Sequence, residues 1–102
     1  MHYRIEFDTL DWESPMAGLR FKAAQSMGRQ LRLVEYTEAM APHWCEKGHI
    51  GSMLAGKFEI EFPDQTLLFE AGDGVFIPSG HGHRHRARVV AGPVRALFVE
   101  DV

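Results

Sequence analysis

The feature that most constrains this chain is its punctuation. Ten glycines and five prolines are spread through 102 residues, so that no segment carries an apolar i, i+3, i+4, i+7 pattern for three helical turns without interruption. What lies between the breaks alternates with period two. Lys57-Phe58-Glu59-Ile60-Glu61-Phe62 is the clearest example, with Phe58, Ile60 and Phe62 on one face and Glu59 and Glu61 on the other. The same reading gives strands at 3–7, 18–25, 29–37, 50–55, 57–62, 66–70, 75–78, 83–90 and 94–100. Gly28, Gly56, Pro63-Asp64, Gly72-Asp73-Gly74, Pro78-Ser79-Gly80 and Gly92-Pro93 mark the turns. Many short strands joined in this way predict an all-β fold, a sandwich or a small barrel whose closure removes exposed edges. The length predicts one domain over residues 1–102, large enough to bury a core without disulfides.

Charge and cysteine content narrow the function classes. Eleven basic against fourteen acidic residues give a net charge of -3, which offers no general attraction to nucleic acid or an anionic membrane. No run approaches the length of a membrane span, and the start of the sequence, with Glu6 and Asp8, lacks the apolar run of a secretory signal. A single cysteine cannot build an internal disulfide, so the expected compartment is reducing and cytoplasmic.

Five of the six histidines fall between His43 and His85. On a strand, His43 and Cys45 share a face, and a Glu46-Lys47-Gly48 turn could return His49 to the same cavity. His83 and His85 likewise share a face, opposite Arg84, Arg86 and Arg88. Neutral imidazoles and a thiolate are good ligands for a divalent transition metal. Ligands drawn from two distant segments suit a site inside a preformed barrel better than a local zinc knuckle. Three or four protein ligands would leave positions on a six-coordinate ion open to substrate or oxygen.

Residues 43–56 and 72–83 resemble the two motifs of the cupin superfamily, small β-barrels of jelly-roll type. The second motif, Gly, five residues, Pro, any residue, Gly, two residues, His, is matched by Gly72, Pro78, Gly80 and His83. The first is matched in spacing, with His43 and Cys45 at the two histidine positions, His49 where the family carries Glu, and Gly56 at the closing glycine. The resemblance implies a jelly-roll barrel with His43, His49 and His83 as ligands and Cys45 as a fourth. Imidazole in place of carboxylate and thiol in place of imidazole soften the site toward one Zn, Fe, Ni or Cu ion per chain and away from Mn. It also implies a homodimer, to which Tyr3-Arg4-Ile5 or the large apolar Trp12 and Trp44 could contribute.

Two activities suit such a site. One is a metal-dependent oxygenase or isomerase acting on a small organic molecule that enters the barrel. The other is a binding module that holds a metal or small ligand without turning it over. A dry structural barrel is the third possibility. His85 is inward by alternation, with hydrogen bonding, substrate contact and core filling all open to it, whereas His2 and His81 read as ordinary solvated residues. The three arginines read as an outward stripe paired with acids such as Glu59.

Overall fold

A computed structural model of the protein describes residues 3–102; Met1 and His2, the latter expected to be an ordinary surface residue, lie outside the described residues. The described residues form seven strands: β1 (Glu13–Met16), β2 (Leu19–Ser26), β3 (Arg29–Tyr36), β4 (His49–Glu61), β5 (Thr66–Glu70), β6 (Gly74–Ile77) and β7 (Arg86–Asp101). All pairings are antiparallel, in the order β1-β2-β3-β7-β4-β5, with β6 also alongside β4. The fold is therefore all-β, as the alternation implies. The hydrogen-bonded ladder is not closed, since β1 and β5 end the order without pairing with each other. The expectation that closure would remove both edges is corrected on this point. β1 bears Pro15, a residue sheets tolerate at an edge because it has no N–H to donate.

The hairpin between β2 and β3 follows from two residues. Met27 and Gly28 both take left-handed backbone, with φ of 55° and 77°, between the paired Ser26 and Arg29. That two-residue turn has the twist that antiparallel strands require. Gly56 does different work. With φ of 78°, it lies where β4 slips register against β7, and a β-carbon there would stand 2.5 Å from the Pro93 carbonyl oxygen. The bend divides β4 in two without ending it. Its first half pairs with β6 and the end of β7, its second with β5 and the start of β7. Segments 50–55 and 57–62, which read as two strands, are one, and 83–90 and 94–100 likewise merge into β7. The segment 3–7 forms no strand; Phe7–Thr9 is a 3-10 turn.

Alternation decides what is buried. Met53, Phe58 and Ile60 of β4, Val34 and Tyr36 of β3, Val75 and Ile77 of β6, and Val94, Ala96 and Phe98 of β7 form one core. The Phe58 and Tyr36 rings pack tilted at 41°, 5.4 Å between centroids. The outward acids of β4 meet the outward arginines of β7, Arg86 on Glu61 at 2.8 Å and Arg88 on Glu59 at 2.9 Å. One departure from an apolar interior positions the site. The inward row of β7 continues from Val94, Ala96 and Phe98 to Glu100, beside Gln30 and Arg32 of β3, so this end of the core is ionic.

Candidate metal centre

Thr37 to Gly48 carries no regular strand, but Cys45 forms an isolated antiparallel bridge with His85. Its N–H donates to the His85 carbonyl at 2.8 Å, and the His85 N–H returns a bond to the Cys45 carbonyl at 2.9 Å. His49 opens β4, whose edge lies beside the end of β7. The result is one cluster. The ligand atoms of Cys45, His49 and His85 all lie within 4.8 Å of one another.

Both imidazoles are oriented through Nδ1. His49 Nδ1 donates to Glu100 Oε2 at 2.5 Å. His85 Nδ1 lies 3.0 Å from the His83 carbonyl oxygen, which can only accept, so Nδ1 carries the proton and Nε2 keeps its lone pair. That Nε2 is buried and has no partner among the described residues. An unpartnered buried acceptor is costly, and metal-binding histidines characteristically have their other ring nitrogen held in this way. The donor set of one thiol and two directed imidazoles fits a divalent transition ion. The backbone N–H of Lys47 also points at Cys45 Sγ, at 3.4 Å.

Electrostatics favour the ligating forms. Burial, aided by neighbouring His49 and His43, holds the His85 imidazole below its ordinary value against the opposing bond to the His83 carbonyl, which favours the neutral ring. Burial of Glu100 on its own would raise its carboxyl. Bonds from His49, Arg32 and Gln30, together with the Arg32 charge, outweigh that and bring it down to about 2. The carboxylate holding His49 is thus ionised at neutral pH.

The sequence-derived ligands separate. Cys45 and His49 join the cluster, and His43 lines the same cavity from an exposed position, its Nδ1 3.3 Å from the Ala41 carbonyl. His83 does not join them. It ends a 3-10 turn, His81–His83, and faces a separate depression bounded by Phe62, Leu67 and Phe76, while His85 takes the third place. The expectation that His83 and His85 share a strand face fails because β7 begins only at Arg86. His81 is a solvated turn residue between Glu46 and Arg84. Trp44 lies under Arg86, 4.7 Å from its ring centroid. Sequence reasoning missed Glu100 and Arg32, although the inward period of β7 passes through Glu100.

The cluster opens into a cavity of about 210 Å³. Tyr36, Met40, Phe58, Ile60, Val75 and Phe98 supply much of its wall, and Arg32, Lys47 and Arg86 are its charged members. Burial pushes the Tyr36 phenol up, so it is protonated and able to donate.

The family model described as a cupin domain matches residues 32–100. No curated protein matches the sequence. Among solved structures, KdgF from Halomonas sp. superposes with a TM-score of 0.80 at 19% identity, covering 99% of this chain and 94% of that one. An RmlC-like cupin from Shewanella frigidimarina gives 0.78 at 14%, covering 100% and 93%. The polyketide cyclase RemF from Streptomyces resistomycificus gives 0.77 at 22%, covering 99% and 80%. At these identities the likeness is one of fold.

Proposed function

The chain belongs to the cupin family, and on that premise we propose that Cys45, His49 and His85 hold one divalent transition metal at the mouth of a jelly-roll barrel, for chemistry on a small organic molecule. The observation that carries this reading is the unpartnered, buried Nε2 of His85, set beside a second imidazole whose Nδ1 is fixed by Glu100. Sulfur and nitrogen ligands suit Zn, Fe, Ni or Cu. When bound, such an ion supplies Lewis-acid polarisation and lowers the pKa of a coordinated water.

The protein's own residues have separate tasks. Glu100 fixes the tautomer and direction of His49, and the His83 carbonyl does the same for His85. Tyr36 can donate a hydrogen bond to a ligand oxygen while Met40, Ile60 and Val75 exclude water. His43, exposed on the same cavity, is the group placed to exchange a proton with solvent, and it is a candidate fourth ligand. We favour a metal-dependent oxygenase or isomerase. One observation supports the alternative of a non-catalytic binding module: no carboxylate lines the cavity among the described residues, so the site lacks an acidic general base.

Metal analysis of untagged protein tests the assignment. His49→Ala and His85→Ala are expected to lose most of the bound metal, whereas His83→Ala keeps the wild-type stoichiometry. In Co(II)-loaded protein, Cys45→Ser is expected to lose the thiolate charge-transfer absorption. Retention of full stoichiometry by both His49→Ala and His85→Ala would overturn the proposal.

A further inference from the structure

The chemistry of the cavity wall narrows what can enter it, and this inference rests on the metal-centre reading above. Arg32 and Lys47 line the cavity, the outward-facing Arg86 borders it, and among the described residues no Asp or Glu lines it. Two of the three cations are already engaged. Arg32 Nη2 donates to Glu100 and Arg86 Nε donates to Glu61, each at 2.8 Å. Lys47 has no ion-pair partner among the described residues. Arg32 is only partly satisfied, since its Nε is buried without a hydrogen-bond partner although the side chain is 14% exposed.

A guanidinium N–H left unbonded in a closed place is as costly as an orphaned imidazole nitrogen, and it can only donate. A group that approaches this guanidinium from the cavity is therefore favoured if it is an acceptor. An acceptor carrying negative charge gains from Lys47 as well, and meets no opposing carboxylate on the wall. The remaining wall, Leu19, Met40, Ile60, Val75 and Phe58, offers apolar contact, so the occupant needs an apolar body behind its charged head. At about 210 Å³ the space falls below the roughly 300–1,000 Å³ of pockets for drug-sized ligands, which limits that body to a few carbons or one ring.

We propose that the cavity takes a small organic monocarboxylate, its carboxylate received by Lys47 on the side of the cavity where Arg32 adds positive charge, and its apolar part laid against Leu19, Met40 and Ile60. Inorganic phosphate shares the anionic head but wastes the apolar wall. The corresponding amide shares the shape and lacks the charge.

Isothermal titration of the purified, metal-analysed protein with butyrate and benzoate, each beside its amide and beside inorganic phosphate, tests this. The acid is expected to bind about tenfold or more tightly than its amide, and more tightly than phosphate. Lys47→Met, a change at an exposed position, is expected to remove much of that preference, and Arg32→Lys to weaken the acid more than the amide. Equal binding of acid and amide, tighter binding of phosphate, no binding of either acid, or an unchanged preference in folded Lys47→Met would overturn the proposal. The metal content of the same samples separates the two readings. Acid selectivity in protein that fails to load metal sinks the metal centre alone, and full loading without selectivity sinks the carboxylate site alone.

Discussion

Arg32 with Glu100 and Arg88 with Glu59 are both Arg–Glu pairs that bridge β7 to a neighbouring strand, closed at 2.8 and 2.9 Å. Distance does not distinguish them. The Glu100 side chain is fully buried and Arg32 is 14% exposed, whereas Arg88 and Glu59 are 60% and 40% exposed. Water competes for the outer pair, which limits its worth to about 0–1 kcal/mol. The inner pair has given up its hydration, so each member depends on the others, and Glu100 answers to Arg32, Gln30 and His49 together. The outer ladder dresses a surface, while the inner network fixes the His49 imidazole.

The comparison can be broken most directly at Glu100. Glu100→Gln leaves the Arg32 charge without its counter-ion and His49 without its carboxylate. A loss of about 3–5 kcal/mol in urea unfolding is expected, with metal affinity about 10–100-fold weaker by competition against a chelator. A cost no larger than that of Glu59→Gln would remove the distinction between the two networks.

Glu35 sharpens it from an intermediate position. Its carboxylate is 9% exposed but lies between Arg20 and Arg95, which are 43% and 44% exposed. The hydrogen bond from Arg20 leads in holding its carboxyl below the ordinary 4.5, burial opposes, and Arg95 adds to the lowering. Because folding lowers this pKa, the unfolded chain takes up the proton more readily. The contribution is therefore complete above about 4.5 and is lost as pH falls through the lower folded value. Glu35→Gln is expected to cost on the order of 1–2 kcal/mol at pH 7, after allowance for the solvated arginines. Its urea midpoint is also expected to fall less than the wild type's between pH 7 and pH 3; equal falls would remove Glu35 from the acid response. The smallest effect is at the surface, where Glu59→Gln is expected to shift stability by less than about 1 kcal/mol.

These networks differ as much in legibility as in energy. The outer ladder could be read from sequence because it obeys alternation within single strands: Glu59 and Glu61 face out from β4, Arg86 and Arg88 from β7. The core was legible for the same reason, Phe58 and Ile60 facing inward where period two puts them. Cys45 and His49, singled out by motif spacing, lie together with His85 in one cluster. His85 took the place expected for His83 because a 3-10 turn consumes His81–His83 and delays the strand, and no periodicity marks so short a turn. Glu100 and Arg32 passed unnoticed because charged residues on strands usually face water. Only the pairing of β3 with β7, which no local pattern specifies, places them together inside.

The bridge between Cys45 and His85 is part of a longer seam. Gly80 donates its N–H to the Glu46 carbonyl at 2.9 Å, and Gly48 donates to Ser79 Oγ at 2.8 Å, so four hydrogen bonds from backbone N–H groups, with the His81–Glu46 side-chain contact beside them, join residues 45–48 to 79–85. Two stretches that are remote in sequence thereby become one mechanical unit, with a thiol at one side and an imidazole at the other. The amides of Cys45, Gly48, Gly80 and His85 are expected to exchange hydrogen at one common rate, and an occupant gripping both sides is expected to slow all four together.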